Sequence, residues 1–416
     1  MIKYIMRKDR LFVRVAIGFV LGIVLGLFAP QTAKDLKVIG DVYLVMIKMM
    51  IVPILICAVA GGIANIKDIG TLRRIGLKTV VLYVVMFICS AIVSFAVAFA
   101  IRPGRGVVFE NAPVWEGTLA NTTVSGFLLN IFPSNIFNAM ANGDILPIII
   151  FTAIFSVAIV ACGKKAEPVL TLINSLSDVM FKVLSYVMEV SPLGVMFLMS
   201  YSLAEYGMGM FTALGKYILC CYIACIATFV IVMLLPLVLY TGMKVSHLLR
   251  GLSKIAMMTV STTSSSATLP TTIRVSIDDF GAPEGISKFT LPLGCTINMC
   301  GGACSFCCLA IFVSDFYGLS LPVSTLAGMI VVATLINMAA PGIPGGGIVL
   351  GASFLSIFGL PFDLMGPISA FYRLLDMAFT TMNVVGDVVA NLMISKNEKQ
   401  WDQSMVSYHK QQKLVQ

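Results

Sequence analysis

The last long apolar stretch of the chain carries polar side chains at helical spacing. Intervals of four, three and four residues separate Asp376, Thr380, Asn383 and Asp387, which places them on one face of a helix. Because carboxylates are costly in lipid, such a face must look onto protein or water. Carboxylate, hydroxyl and amide oxygens can hold a hard cation or an ammonium group. Because a hydroxyl, an amide and two carboxylates share this face, we expect it to have a function; the alternative is a buried polar network that only joins helices.

Two earlier stretches are too irregular to cross a membrane as ordinary helices. Residues 245–286 contain the polar run MMTVSTTSSSATLPTTIRV, and residues 322–360 contain an apolar segment interrupted by Pro and Gly in NMAAPGIPGGGIVLG. Non-helical backbone at membrane depth is tolerated only where protein or a water-filled cavity satisfies it. We therefore predict two re-entrant helical hairpins that open from opposite sides of the membrane, an arrangement that can build a binding site at the midplane.

The composition indicates what kind of protein positions these residues. The 416 residues are 58% hydrophobic and 12% charged, with a mean hydropathy of +0.97, whereas soluble domains are about 25% charged. These values exclude an ordinary soluble protein, a disordered chain, a coiled coil and collagen. A hydrocarbon core of about 30 Å needs roughly 20 helical residues. Apolar blocks of about that length occur at 11–31, 41–64, 77–101, 144–162, 170–203, 214–240, 287–313 and 367–394. The predicted fold is an all-α polytopic membrane protein with about eight transmembrane helices plus the two hairpins.

Positive charge is concentrated in the short links between the apolar blocks. The net charge is +8, and basic clusters lie near the N-terminus, at 67–78, at 164–165, at 244–254 and in the tail. This distribution follows the positive-inside rule and predicts that both termini are cytoplasmic. The basic residues form no contiguous face for nucleic acid, so the expected surroundings are a lipid bilayer. The block that begins at Leu11 is too long for the apolar region of a signal peptide, and we expect it to remain as the first span.

The eleven cysteines fall in or at the ends of apolar blocks. Free cysteine behaves as a small buried apolar residue, so we do not expect a disulfide framework. The cluster of Cys304, Cys307 and Cys308 has no histidine nearby, and we do not expect it to bind a soft metal.

Four motifs in the second half of the chain resemble one family. They are SSSATLP at 264–270, NMCG at 298–301, PGIPGGG at 341–347 and DMAFTTMNVVGD at 376–387. In this order and spacing they resemble the dicarboxylate/amino acid:cation symporter family, which is glutamate-transporter-like. The resemblance covers residues 244–396, with a looser match at 132–152. It implies an elevator-type transporter in a plasma membrane or bacterial inner membrane, assembled as a homotrimer.

The same resemblance implies a division of the chain into functional parts. Scaffold helices would occupy 1–76 and 103–213, and the third helix at 77–102 would belong to a moving transport domain. The core of that transport domain would be 214–396, and a cytoplasmic tail would follow at 397–416.

The resemblance also implies which residues hold the substrate. The tips of the two hairpins would offer backbone N–H groups to the α-carboxylate, since helix N-termini favour an anion. Asp376 would hold the α-amino group, and Asn383 would assist. The implied substrate residues are Ser264, Ser265, Ser266, Ile343, Gly347, Asp376, Phe379, Thr380 and Asn383.

Two cation sites are implied by the same motifs. The implied ligands are Gly294, Asn298, Asn383 and Asp387 for one site, and Thr296 and Met299 with carbonyls of the second hairpin for the other. Sodium is the expected coupling ion, with protons as the alternative, and no organic cofactor is expected.

Substitutions at motif positions predict that a further sodium site of the family is lost. The family's motif at 298–302 reads NMDGT, and Cys300 replaces its aspartate. Met86 and Phe87 replace two hydroxyl residues that follow Tyr83 in the family's third span. Without these oxygens a cation would lose its hydration shell and gain nothing in return, so we expect one or two coupled sodium ions. Gly302 replaces the motif's threonine.

The expected substrate depends on Phe379. Members with acidic substrates place an arginine at this position, and a phenyl ring cannot pair with a carboxylate as a guanidinium does. We therefore expect a symporter that imports a small neutral amino acid. Arg373 lies three residues before Asp376 on the same face, and it leaves open an alternative in which it clamps the carboxylate of a dicarboxylate or acidic amino acid. Otherwise Arg373 pairs with Asp376 or reaches the membrane interface.

Two other classes of function fit less well. An ion channel usually needs one hairpin per subunit around a shared axis, whereas two unlike hairpins suit alternating access. Enzyme activity is not expected, because His247 and His409 lie in cytoplasmic segments. Asp376 and Asp387 would also be about 16 Å apart along the helix at 1.5 Å per residue, too far to share a proton as a catalytic pair does.

Overall fold

The structure is a computed structural model that describes residues 11–50, 52–54, 56–57, 60, 72–106, 132–142, 145–207, 209–338, 346–361 and 363–401. Within these ranges the chain is helical and contains no strand. The helices are α1 (Leu11–Phe28), α2 (Pro30–Asp35), α3 (Lys37–Met49), α4 (Leu72–Ile101), α5 (Ile136–Asn142), α6 (Ile145–Cys162), α7 (Glu167–Tyr206), α8 (Gly209–Thr228), α9 (Leu235–Thr241), α10 (Val245–Thr262), α11 (Ser265–Asp278), α12 (Glu284–Ile297), α13 (Cys300–Phe316), α14 (Val323–Met338), α15 (Gly346–Ile357) and α16 (Met365–Asn397). Helices suit segments that cross lipid, because a helix satisfies its backbone polar groups within itself.

In the described part of the chain, four helical stretches are long and apolar enough to cross a membrane. They are Arg74–Ile101, Gly209–Thr241, Glu284–Phe316 and Phe371–Asn397, and a bent pair within α6 and α7 brings the number to five if it forms one span. The expected number of about eight spans stays a prediction, since several predicted blocks extend beyond the ranges given above.

Two of the predicted spans are interrupted. The block predicted at 287–313 is broken between α12 and α13, where Asn298 has an extended backbone with φ −89° and ψ 98°. The block at 214–240 contains a π-helical turn, Phe229–Leu234, that joins α8 to α9. Pro236 follows this turn, and because proline lacks an N–H group the regular ladder cannot continue through it.

The first predicted hairpin is formed by α10 and α11. Thr263 ends α10 in the left-handed conformation with φ 47°, and Ser264 turns the chain into α11 with an extended backbone. The Ser264 hydroxyl caps α11 by accepting a hydrogen bond from the Ala267 amide at 3.2 Å, which satisfies one of the free N–H groups at the helix start. The hairpin tip is therefore a sharp turn of two residues.

The second hairpin is formed by α14 and α15. Its tip, which includes Ile343, lies outside the described residues. The two arms pack against each other and against α13, and α15 also packs against α16. Both hairpins thus meet the interrupted helix pair α12–α13 and the last helix, α16.

Helices α1 and α7 pack through a row of glycines. A Cβ atom at Gly22 would lie 2.5 Å from the Met196 carbonyl oxygen, and one at Gly26 would lie 2.7 Å from the Ser200 carbonyl oxygen. One turn earlier, a Cβ atom at Gly18 would overlap the backbone of Pro192. Small residues at such spacing allow two helix backbones to touch in a membrane. This contact joins the first helix to the longest one.

Ion pairs fasten α4 at both of its ends. At its start, Lys78 lies 2.7 Å from the Glu398 carboxylate, which also pairs with Arg74. At its end, the Asp315 carboxylate of α13 lies 3.0 Å from Arg102 and 3.3 Å from Arg105. Because Glu398 follows α16 directly, α4 is tied to α16 at one end and to α13 at the other.

Candidate functional site

A cavity of about 50 Å³ lies where the two hairpins meet α13 and α16. Its walls combine hydroxyl, amide and carboxylate groups with aromatic and aliphatic side chains, a mixture typical of small-molecule sites. The lining residues are Thr263, Ser265, Met299, Gly302, Ser305, Phe306, Asn337, Gly347, Leu350, Tyr372, Asp376, Phe379, Thr380 and Asn383.

The three serines at the tip of the first hairpin, Ser264 to Ser266, have different surroundings. Ser264 uses its side chain to cap α11, Ser265 is buried and lines the cavity, and Ser266 is exposed. A helix that starts at Ser265 directs free N–H groups and the positive end of its dipole toward the cavity. Of the three predicted serines, Ser265 therefore lies in the wall itself, while Ser264 fixes the position of that wall.

The polar face of α16 extends from the cavity into the protein behind it. Thr380 donates a hydrogen bond to the Asp376 carboxylate at 3.2 Å. Asn383, one turn further on, accepts the Gly301 amide at 2.7 Å and directs its own NH₂ group to the Met299 sulfur at 3.1 Å. These three α16 residues line the cavity, whereas Asp387 does not. The helical spacing predicts the shared face, and the fold divides that face into two regions.

The region behind the cavity is organised by Asn298. Its amide NH₂ donates to the Asp387 carboxylate at 2.8 Å and to the Asn383 carbonyl at 3.2 Å. Asp387 is 1% exposed, and its second oxygen, Oδ2, has no hydrogen-bond donor. A buried carboxylate oxygen without a donor is costly unless a cation or a proton satisfies it. The geometry therefore fits either a cation bound beside Asp387 or a proton on its carboxylate.

The other predicted cation ligands lie around the same break between α12 and α13. Gly294 packs against both Asp387 and the Tyr83 hydroxyl, with no space for a Cβ atom. Thr296 is half-buried, and its hydroxyl donates to the Leu293 carbonyl at 2.9 Å. Met299 lines the cavity, and its sulfur accepts a hydrogen bond from the Asn383 side chain, which lines the cavity too. The structure brings this set to one place but shows Thr296 bonded within its own helix.

Apolar and sulfur-containing side chains occupy the three positions at which the sequence predicts that a further cation site has been lost. Met86, Phe87 and Cys300 are all buried, and the Cys300 thiol donates to the Asn298 amide oxygen at 3.1 Å. The neighbouring Tyr83 hydroxyl donates to the Thr290 carbonyl at 2.9 Å. A hard cation prefers several oxygen ligands, so these three side chains offer it little.

Phe379 and Arg373 occupy different surroundings. Phe379 is buried and lines the cavity. Arg373 is not among the lining residues, and its guanidinium donates to the Ser261 carbonyl at 3.2 Å, near the tip of the first hairpin. The arginine therefore lies against the hairpin backbone, one turn of α16 from Asp376.

Sequence reasoning missed four polar residues in the cavity wall: Thr263, Ser305, Asn337 and Tyr372. Tyr372 lies four residues before Asp376, so the helical spacing could have included it. Asn337 is the last polar residue before the Pro/Gly tip of the second hairpin. Ser305 has cysteines and apolar residues around it in the sequence of α13, and only the fold shows that it reaches the cavity.

The cysteines are free thiols, and most of them lie between α8 and α13. The sulfur atoms of Cys220 and Cys308 are 3.9 Å apart. In the part of the chain that the structure describes, no group of three or more His, Cys, Asp or Glu side chains is placed to hold a metal ion.

Comparison with known proteins gives a consistent result. The model of the sodium:dicarboxylate symporter family matches residues 11–397. A proton/sodium-glutamate symport protein of Geobacillus stearothermophilus is 30% identical over 96% of this chain and 97% of its own length. A C4-dicarboxylate transport protein of Pseudomonas fluorescens is 28% identical over 94% of this chain and 90% of its own.

These matches confirm the resemblance drawn from the four motifs and extend it over the first half of the chain. They agree with the helical fold, with its several apolar helices, and with a function in membrane transport. The chain belongs to the sodium:dicarboxylate symporter family.

Proposed function

We propose that the protein is a symporter that imports a dicarboxylate or an acidic amino acid together with sodium ions or protons. The observation that carries this proposal is the cavity enclosed by two hairpins, with the Asp387 region directly behind it. A substrate in the cavity and a cation beside Asp387 would share Asn383 and Met299 as neighbours. Such sharing is a physical route by which one ligand can favour binding of the other.

The substrate is held by groups of both hairpins and α16. Backbone N–H groups at the start of α11, positioned by Ser264 and Ser265, and the second hairpin at Gly347 and Ile343 bind one carboxylate; Ser266 is exposed and contributes through its backbone. Asp376 accepts the ammonium group of an amino acid, with Thr380 holding its carboxylate in place. A dicarboxylate lacks an ammonium, so Asp376 favours an acidic amino acid among the two substrate types that the relatives' names suggest.

The cations bind around the break between α12 and α13. Asp387, Asn298, Asn383 and Gly294 form one site, and Thr296 and Met299 contribute to the other. The unpartnered Asp387 oxygen supports the first site. One or two sodium ions per cycle are expected, since Cys300, Met86 and Phe87 leave little for a third. A proton on Asp387 in place of sodium is the alternative.

The movement is of the elevator type, with 77–102 and 214–396 carrying the substrate past a scaffold of 1–76 and 103–213. The glycine contact between α1 and α7 supports a rigid scaffold, and the ion pairs of α4 with α13 and α16 support its place in the moving part. Three copies assemble in the cell membrane with both termini, including the tail at 397–416, in the cytoplasm. Native mass spectrometry that shows only monomers over a range of mild detergents would contradict the trimer.

A second candidate substrate is a small neutral amino acid, the substrate expected from the sequence. It is favoured by Phe379, which puts a phenyl ring in the cavity wall where an acidic-substrate member would have a guanidinium. The names of the relatives favour the acidic substrates instead, and we therefore place the neutral amino acid second.

The test is a panel of uptake measurements in proteoliposomes, with sodium and pH gradients imposed separately. Glutamate, aspartate, succinate, serine and alanine compete against one another in wild type, Asp376→Asn and Phe379→Arg. The proposal expects uptake of an acidic compound driven by at least one gradient, and a loss of about tenfold or more in Asp376→Asn for amino acids. Uptake of serine or alanine alone, with a shift toward acidic compounds only in Phe379→Arg, would support the second candidate.

A further inference from the structure

The side chain of Asn337 occupies the space above Gly302. A Cβ atom at Gly302 would overlap the Asn337 amide oxygen Oδ1, so any other residue at position 302 would displace the amide. Both residues line the cavity, and Asn337 is 3% exposed. The threonine hydroxyl expected from the motif at this position is thus absent, and an amide from the second hairpin lies there in its place.

The orientation of the amide is fixed by its own helix. The Asn337 NH₂ group donates to the Ala333 carbonyl at 2.9 Å. Because a carbonyl can only accept, the nitrogen must be on that side of the amide, and the oxygen must be on the side of Gly302. At Gly302 the cavity wall therefore presents the Asn337 oxygen, which can only accept a hydrogen bond. A threonine hydroxyl at the same place could also donate one.

The other groups around the cavity give a carboxylate no positive partner at this position. From α13 come Ser305 and Phe306, from α15 comes Leu350, and from the first hairpin come Thr263 and Ser265, none of them charged. From α16 come Asp376 and Tyr372, one an acid and the other a phenol. Among the described residues, those that line the cavity include no lysine, arginine or histidine. An ionised carboxylate beside the Asn337 oxygen would lose hydration and would gain only hydrogen bonds from neutral groups of the wall, with no charged side chain to pair with it.

We infer that Asn337 is a specificity-determining residue whose Oδ1 accepts a hydrogen bond from the distal group of the substrate, so that an acidic substrate binds with its distal carboxyl protonated. The inference rests on the proposed function, because it assumes that the cavity holds the substrate. An uncharged ω-amide is isosteric with a protonated carboxyl and donates to the same oxygen. The class of ligand is therefore a compound with one ionised carboxylate and a distal hydrogen-bond donor.

This binding mode makes the substrate itself carry a proton. The distal carboxylate takes one proton from the outer solution, keeps it as an O–H group bonded to Asn337, and releases it when the carboxyl ionises again on the inner side. Above the pKa of that carboxyl in free solution, the protonated fraction falls about tenfold per pH unit. The apparent affinity for total acid should fall with it, whereas the affinity for the amide should not.

The experiment measures binding of glutamate and of glutamine over a range of pH at saturating sodium. The ratio of the two apparent affinities cancels the titration of groups of the protein that both ligands share. We expect glutamate to lose about tenfold relative to glutamine for each pH unit above the pKa of its side chain. In Asn337→Leu both ligands should bind about tenfold more weakly or worse, because each then leaves its donor unpaired.

A second test puts the motif's threonine back at position 302. Gly302→Thr alone should abolish binding, since the new side chain overlaps Asn337, and the double variant Gly302→Thr with Asn337→Ala should bind again. Because a threonine hydroxyl can donate to a carboxylate, the glutamate-to-glutamine ratio of the double variant should no longer depend on pH. The matched control is Thr334→Val, in the same helix as Asn337. It removes a hydroxyl that donates to the Ile330 carbonyl, and Thr334 does not line the cavity. It should leave both affinities and their ratio unchanged.

Three results would overturn the inference. One is a ratio that stays constant with pH in the wild type, and another is an Asn337→Leu variant that binds both ligands normally. The third is loss of glutamate binding in Arg373→Gln with a constant ratio, which would make Arg373 the clamp and leave the proposed function intact. If no acidic compound binds at any pH, the proposed substrate is wrong, and the effect of Asn337→Leu on glutamine and serine then decides whether Asn337 is an acceptor.

Discussion

The hydroxyl of Tyr372 on α16 lies against the Cα atom of Gly347 on the second hairpin, so closely that a Cβ atom there would overlap it. Both residues line the cavity. The last helix therefore touches the second hairpin at a position where only glycine fits, and this contact fixes how near the hairpin can come to the substrate.

Substitution of this glycine should hold the hairpin away from the cavity. We expect Gly347→Ala to weaken substrate binding by about tenfold or more, because overpacking a close contact costs about 1–3 kcal/mol. Adding Tyr372→Phe should restore part of the affinity, since it removes the overlapping oxygen. Isothermal titration with purified protein measures both effects.

The control for that substitution is Gly328→Ala on the other arm of the hairpin. A Cβ atom at Gly328 would meet only the ring of Phe358, at 3.7 Å, which is ordinary van der Waals distance. Its substrate affinity should match the wild type. An equal loss of substrate affinity in Gly347→Ala and Gly328→Ala would show that both arms of the hairpin are sensitive to an added methyl group. The contact of Gly347 with Tyr372 would then not explain the effect.

Removal of the Asp387 charge should weaken the coupling to sodium. Asp387→Asn keeps the shape of the side chain but loses the anionic oxygen that has no donor. We expect the sodium concentration at half-saturation of substrate binding to rise by about tenfold or more, because a charged hydrogen-bonding group is worth about 1.5–3 kcal/mol. Titrations at constant ionic strength measure it.

Asp315→Asn is the matched control for the charge at Asp387. It is the same chemical change at another buried aspartate, whose partners are Arg102 and Arg105 at the far end of α13. This variant should be less stable, yet its sodium dependence should be that of the wild type. A similar sodium shift in both variants would mean that the effect comes from a loosened fold.

Addition of a methyl group between α1 and α7 should destabilise the protein. Gly22→Ala places a Cβ atom 2.5 Å from the Met196 carbonyl oxygen, and we expect a loss of about 1–3 kcal/mol in the free energy of unfolding. Gly215→Ala on α8, where a Cβ atom meets nothing within 4 Å, should cost little. Apparent Tm values in one mild detergent compare the two, and an equal Tm for both would contradict the close contact.

The ion pairs of Glu398 should stabilise the fold in a pH-dependent way. The hydrogen bond from Lys78, together with Arg74, lowers the pKa of the Glu398 carboxyl below its ordinary value, although partial burial opposes this shift. Since the folded-state pKa is the lower one, the stabilisation is present above the ordinary pKa of about 4.3 and is lost as the pH falls through the folded value.

The measurement is the Tm difference between wild type and Glu398→Gln across that pH range. The difference should be constant near neutral pH and should vanish in acid. Glu284→Gln is the comparison, because Glu284 is exposed and pairs only with Lys288 in its own helix. A difference that grows in acid would reverse the sign and contradict a lowered pKa.

The sequence predicts the α16 face well because helical spacing determines direction around an axis. Helical spacing does not determine how far along the axis a side chain lies from the cavity. Only the fold shows that Asp376 lines the cavity and that Asp387 lies behind it. The serine run shows the same limit. Composition marks residues 264–266 as polar, but only the turn at Thr263 decides that Ser265 faces inward and Ser266 outward.

The pair of Gly302 and Asn337 was beyond sequence reasoning for a different reason. The substitution of the motif's threonine is visible in the sequence, whereas the amide that fills its space comes from a helix 35 positions later. Motif comparison detects what a position has lost. Packing shows which side chain from elsewhere has taken its place.

The glycine row of α1 limits how this region can change during evolution. Inserting or deleting one residue between Gly18 and Gly26 would rotate the later glycines by about 100° around the helix, since a turn contains 3.6 residues, and would press larger side chains onto α7. Length changes in this segment should therefore be rare among functional descendants. On the opposite side of α1, where Val20 and Val24 are exposed, one apolar residue can replace another freely, so the two sides of a single helix should diverge at very different rates.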